Sequence, residues 1–145
     1  MRIIGIDLGD VRTGIAVSDE TEFLASGLCT VRANGKRALL EIISEKASEL
    51  GAGGFVVGDP VNMDGTRGES SLKAHAFAER LAEKTGLPVY LSDERCSTKV
   101  AHSIMNITDT RGKKRKNTVD TLSAEIILQD FLDRRRAEKE NDPRS

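Results

Sequence analysis

Three acidic positions in this sequence stand where an apolar element ends or begins, and carboxylates so placed can do hard-cation chemistry. Asp7 follows Ile3-Ile4-Gly5-Ile6, Asp93-Glu94 follows Val89-Tyr90-Leu91, and Asp120 opens a long helical pattern. An unpaired buried charge is costly, and in open α/β sheets ligands sit at the carboxyl ends of strands, so acids at those ends call for a functional reason. Asp120 precedes Ala124, Ile127 and Phe131 by 4, 7 and 11 residues, a row that turns it toward a sheet. If the two acid-tipped strands are parallel neighbours, their carboxylates converge and repel. A shared Mg²⁺ or Mn²⁺, which prefers oxygen ligands, is the stable arrangement. Two such ions can activate a water and stabilise the leaving oxygen in phosphodiester cleavage.

Each acid also has a structural reading. Asp7 could form a local turn with Gly9 and Asp10. Asn117 with Asp120 three residues later has capping-box spacing. Asp93-Glu94 could be a solvated connection, with Arg95 as a salt-bridge partner. Asp59 ends another apolar run, Phe55-Val56-Val57-Gly58, and is either a fourth oxygen ligand or, before Pro60, a turn residue.

Arg111-Gly112-Lys113-Lys114-Arg115-Lys116 places five positive charges in six residues immediately upstream of the Asp120 helix. Cations beside a carboxylate-metal centre are what a phosphate-backbone substrate requires, because the carboxylates alone would repel it. Arg12, in the turn after Asp7, could also reach a phosphate. Aromatics make up only 3% of the chain, so backbone and shape contacts must outweigh base stacking in any nucleic-acid recognition. The Gly9 to Gly14 spacing lacks the lysine of a P-loop. Cys96, His75 and His102 form no nucleophile pattern.

The 145 residues fit one domain, with 22 Lys and Arg against 23 Asp and Glu, so any polyanion site is a local patch. Cys29 and Cys96 form neither a zinc motif nor a disulfide framework, and no signal peptide or membrane span is visible, which leads us to expect a cytoplasmic protein.

The elements that must position the acids follow from periodicity. Strands are expected at the Arg2–Gly9 stretch, at Thr13–Ser18 and at Phe23–Val31, the first two joined too closely for a crossover helix and hence antiparallel. Leu39, Leu40, Ile43, Ala47 and Leu50 mark a helix over Lys36–Leu50, ended by Gly51, Gly53 and Gly54. Strand Phe55–Gly58, a loop over Val61–Glu69, a helix through Ala74, Phe77, Ala78 and Leu81 to Gly86, and strand Pro88–Leu91 come next. A short helix over Ser97–Met105 precedes a final one from Thr118 to about Arg135, with a charged, frayed tail from Ala137. This order implies a five-stranded mixed sheet, an antiparallel three-strand meander plus two parallel strands, with helices on both faces.

Taken together, several ordered motifs resemble the YqgF (RuvX) family, the Holliday-junction-resolvase-like proteins proposed to process pre-16S rRNA. They are Gly5-Ile6-Asp7-Leu8-Gly9 with Arg12 and Gly14, Val57-Gly58 through Pro60 to Asn62-Met63-Asp64-Gly65, Ala76-Phe77-Ala78 with Leu81, Asp93-Glu94-Arg95 with Thr98, and Lys113-Lys114 followed by Val119-Asp120. The resemblance implies an RNase H-like fold over residues 1–136, ahead of a 137–145 tail, and metal-dependent nuclease chemistry. On this resemblance Asp7, Glu94 and Asp120 are catalytic and, with Asp93, hold Mg²⁺ or Mn²⁺. Arg12, Arg95, Lys113, Lys114, Arg115 and Lys116 are then expected to bind structured RNA or branched DNA, in a monomer or homodimer. Two departures stand out: Asp59 replaces an apolar residue, and Cys96-Ser97 replaces Leu-Thr. Rival readings are a DNA junction resolvase, a nucleotide-binding fold of the actin and sugar-kinase type, and an RNA-binding module without catalysis.

Overall fold

Central strands covered on both faces must be apolar at every position, and that is how the middle of this sheet is built. The computed structural model describes residues 1–9, 11–60, 68–93 and 112–141, with 93, 112–120 and 139–141 placed by their backbone. In chain order the elements are β1 (Arg2–Asp7), β2 (Thr13–Ser18), β3 (Ala25–Val31), α1 (Lys36–Leu50), β4 (Ala52–Asp59), α2 (Glu69–Thr85), β5 (Val89–Asp93) and α3 (Gly112–Asn141). The sheet runs β3-β2-β1-β4-β5. β1 pairs antiparallel with β2 and β2 with β3, whereas β1 pairs parallel with β4 and β4 with β5.

Side-chain alternation divides the core into two layers. Ile4, Ile6, Ile15, Phe55 and Val57 pack on one face against Leu39, Leu40 and Ile43 of α1 and Phe77 and Leu81 of α2. On the other face Ile3, Ala16, Ala25 and Val56 pack against Ala124, Ile127, Leu128 and Leu132 of α3. Gly5 belongs to this second face: a Cβ there would stand 2.7 Å from Leu128 Cβ and 3.0 Å from the Ala124 carbonyl oxygen. The absent side chain is what lets α3 lie directly on β1.

Several boundaries differ from the sequence reading. α1 ends at Gly51, which takes the left-handed conformation at φ 66°, whereas Gly53 and Gly54 already belong to β4. β3 starts at Ala25 instead of Phe23, because the Asp19 carboxylate accepts the Phe23 N–H at 2.8 Å and ties the preceding residues into a turn. Asp59 is the last residue of β4 and not a turn residue. α3 begins at Gly112, so the basic run from Lys113 to Lys116 is helical and not a preceding loop. It contains no proline and, after Gly112, no glycine, and Lys and Arg are good helix formers. Asp120 therefore sits well inside the helix, and the capping-box reading with Asn117 does not apply. The same helix continues through Asn141, past the end near Arg135 expected from periodicity. The helix expected over Ser97–Met105 lies outside the described residues, as do most of the Val61–Glu69 loop, Asp10, Glu94, Arg95, Cys96 and Arg111.

Candidate active site

Asp7 closes β1 at the rim formed by the carboxyl ends of β1, β4 and β5, and it is half-buried there. Its register partner across the hairpin is Gly14. By alternation it shares the sheet face of Ile3 and Gly5, the face covered by α3. Asp120 precedes Ala124 by one helical turn, and the Ala124 carbonyl lies over Gly5, two residues before Asp7. The packing of α3 on β1 thus brings the positions of Asp7 and Asp120 toward one end of one layer.

β5 brings the second acidic pair to the same rim. Gly58 pairs with Ser92 and Asp59 with Asp93, while Ile6 of β1 pairs with Val57. Asp93 therefore stands two strands from β1, an offset of about 10 Å at the usual interstrand spacing. Position 93 shares the register row of Asp59 and not that of Asp7. Glu94 and Arg95 lie outside the described residues, and Asp93, Asp120 and Lys113 to Lys116 are placed by backbone. Among the described residues, no group of three or more His, Cys, Asp and Glu is gathered closely enough to hold a metal ion.

Asp59 has a definite role in the structure. It is 3% exposed, and its carboxylate accepts the Ser71 hydroxyl at 2.5 Å and lies 3.1 Å from His75 Nε2. Both partners are on α2, so Asp59 points to the α1–α2 face, opposite the face of Asp7. It locks the end of β4 to α2, and its partners supply the pairing that a buried carboxylate needs. Sequence reasoning missed Ser71 and His75 as partners. The available signal was their spacing of four residues, which places them on one helical row.

Arg12 is half-buried in the β1–β2 turn, two residues before the Asp7 partner Gly14. On α3, burial pushes the Glu125 carboxyl up from its ordinary value, partly opposed by a hydrogen bond from the Gly27 backbone N–H. The donors expected at the rim are all carboxylate oxygens, the set a hard divalent cation prefers, and the half-buried Asp7 at a strand end has the partial exposure such a ligand needs.

Known proteins share this architecture. Residues 1–134 match the family model described as RuvX, Holliday junction resolvase. A Bacillus cereus (strain B4264) protein named "Putative pre-16S rRNA nuclease" is 41% identical over 137 residues, covering 93% of this chain and 100% of the relative. A Pelotomaculum thermopropionicum protein of the same name is 42% identical over 134 residues, covering 92% and 87%. T. thermophilus RuvC in complex with Holliday junction substrate superimposes with a TM-score of 0.60 at 17% identity, over 94% of this chain and 96% of that one. The fowlpox virus Holliday junction resolvase gives 0.55 at 11% identity, over 92% and 99%. At these identities the structural likeness establishes the fold, which is RNase H-like.

Proposed function

Since this chain belongs to the RuvX family, matching its model over residues 1–134, we propose that it is a divalent-metal-dependent nuclease that processes the 5′ end of precursor 16S rRNA. The observation that supports the reading is Asp7, half-buried at the carboxyl end of β1 on the sheet face that α3 covers, with Asp120 one turn ahead of the Ala124 that packs over Gly5. Asp7, Glu94 and Asp120 would hold Mg²⁺ or Mn²⁺, with Asp93 beside them. Register speaks against Asp93 itself as a ligand, because it pairs with Asp59, whose side chain turns to the α1–α2 face. When bound, such an ion lowers the pKa of a water and stabilises the leaving oxygen of a phosphodiester.

The remaining residues act on the substrate strand. Lys113, Lys114, Arg115 and Lys116 fall in the first turns of α3, where cations are disfavoured by the helix dipole, so their presence favours a polyanion at that end. With Arg12 and Arg95 they would hold the phosphate backbone of structured RNA. Residues 1–136 form the nuclease domain in this reading, acting in the cytoplasm as a monomer or homodimer. Among the described residues no helix is long and apolar enough to cross a membrane.

The test is cleavage of a precursor rRNA transcript by wild type and Asp7→Asn, with Mg²⁺ and with chelator. Loss of a metal ligand should cost more than about 100-fold, the upper range for outer-shell partners. Equal cleavage by both proteins removes the catalytic assignment. Cleavage of a four-way DNA junction in preference to the transcript would make the protein a resolvase instead.

A further inference from the structure

α3 meets the far edge of the sheet through a row of polar side chains that the proposed metal chemistry does not use. Thr121, Glu125 and Gln129 are spaced four residues apart and so share one face of the helix. All three engage the edge strand β3. The Thr121 hydroxyl lies 3.0 Å from the Thr30 hydroxyl, the Glu125 carboxyl accepts the Gly27 N–H, and Gln129 Oε1 accepts the Ala25 N–H at 2.8 Å. A Cβ on Gly27 would stand 2.3 Å from Thr121 Cγ2, so the strand is bare where this helix turn lies against it. Beside this row run Ala124 and Leu128, which pack over Gly5 of β1, and Asp120 stands one turn ahead of Ala124 and directly before Thr121. Thr30 also has a particular place in the sheet. Asp7 pairs with Gly14 across the first hairpin and Gly14 pairs with Thr30 across the second, so all three lie on one cross-strand row. Gly14 contributes no side chain to that row, and Thr30 stands two strands from Asp7, about 10 Å. The hydroxyl pair therefore ties the residue next to Asp120 to the row that carries Asp7.

We propose that Thr30 is a positioning residue of the nuclease site, which through Thr121 fixes the turn of α3 that carries Asp120 against the row of Asp7. The proposal rests on the nuclease reading and deepens it. Apolar contacts such as those of Ala124 and Leu128 hold α3 on the sheet but are non-directional, whereas a hydrogen bond weakens steeply when its atoms move or tilt. The Gly5 contact thus sets how closely α3 approaches β1, and the hydroxyl pair sets how that turn is rotated and advanced along the strands. Ligands of a shared cation need placement of that kind, since a displacement of about 1 Å can cost about 100-fold in rate. In this role Thr30 acts only through Thr121.

The experiment compares wild type, Thr30→Val, Thr30→Ser and Gln129→Ala, each as the full chain. Mn²⁺ binding is read from the paramagnetic resonance of the free ion, and kcat and KM from cleavage of the precursor transcript, all per folded molecule. Thr30→Val keeps the volume and removes the hydroxyl. It should weaken Mn²⁺ binding and lower kcat by about 10- to 100-fold, the range for groups that orient metal ligands. Its KM for RNA should not change, because the cations that hold the backbone are untouched. Thr30→Ser, which keeps the hydroxyl, should recover most of both losses. Gln129→Ala breaks bonds at the far end of the same seam, to the Ala25 N–H and the Phe23 carbonyl, and should lower the melting temperature while Mn²⁺ binding and kcat stay as in wild type. If Thr30→Val does not fold, Thr121→Val removes the same bond from the helix side and is read in the same way. Wild-type Mn²⁺ binding and kcat in folded Thr30→Val overturn the proposal. So do losses in Gln129→Ala equal to those in Thr30→Val, or a Thr30→Ser protein as impaired as Thr30→Val. Asp7→Asn separates this from the nuclease reading. If it is inactive while Thr30→Val behaves as wild type, only the positioning role falls; if it cleaves as wild type does, the nuclease reading itself fails and the proposal with it.

Discussion

Gly5→Ala tests the packing that seats α3, the helix that carries Asp120, on β1. The new Cβ would meet Leu128 Cβ at 2.7 Å and the Ala124 carbonyl oxygen at 3.0 Å, where ordinary contacts between carbon atoms fall at about 3.5–4.0 Å. Neither neighbour is the free end of a side chain, and Ala124 and Leu128 are both fully buried, so relief requires α3 to move by about 1 Å. Overpacking of this kind costs up to about 3 kcal/mol, and the entropy that alanine removes from the unfolded chain returns up to about 1 kcal/mol. A net loss of about 2 kcal/mol corresponds to a fall of roughly 8 °C in melting temperature for a chain of this size. A 1 Å displacement of a catalytic group can cost about 100-fold in rate, so cleavage should fall further than the folded fraction does. Gly53→Ala is the control: its Cβ meets the side chain of Met1 even more closely, but Met1 is exposed and can swing aside, so the change should stay within about 0.5 kcal/mol. Thermal melts and cleavage of the precursor transcript would be measured for both. A Gly5→Ala protein that melts and cleaves like Gly53→Ala refutes the argument that close packing of α3 builds the site.

Three further outcomes follow from named side chains. Asp59→Ala strands the buried Ser71 hydroxyl and should cost about 2 kcal/mol, with Ser71→Ala in the same chain recovering part of it in a denaturation double-mutant cycle; cleavage by the folded fraction should persist, and its loss would return Asp59 to the metal site. Glu125→Gln addresses a carboxyl whose folded pKa is raised, chiefly by burial, above the unfolded value of 4.5. Between those two values the folded state holds more protons than the unfolded state, so wild-type stability falls as pH rises from 4.5, and the advantage of the glutamine variant in thermal melts should be absent at lower pH and grow toward neutrality. Replacing Lys113, Lys114, Arg115 and Lys116 with glutamine should make RNA binding less salt-dependent, lowering the slope of log K against log salt by about 0.7 for each single-strand phosphate that is no longer neutralised; an unchanged slope would remove the run from the interface.

Local periodicity alone specifies the elements whose burial repeats regularly. α1 falls at Lys36–Leu50 as read, because Leu39, Leu40, Ile43 and Ala47 form one apolar row, and α2 ends at Gly86 as read. Connection lengths were enough to require an antiparallel hairpin followed by parallel strands, and apolar runs ending in acids marked the rim. The start of α3 was not legible, because Gly112 to Asn117 is polar and charged, and a segment without an apolar stripe carries no periodic signal. Which face each acid serves depended on strand register: Asp7 and Asp59 both end apolar runs, and only the pairing of β1, β4 and β5 with the layers above and below sends one toward α3 and ties the other to Ser71 and His75. Local sequence sets which side chains must be buried. Interactions between residues far apart in the chain decide against what they are buried, and that required the three-dimensional arrangement.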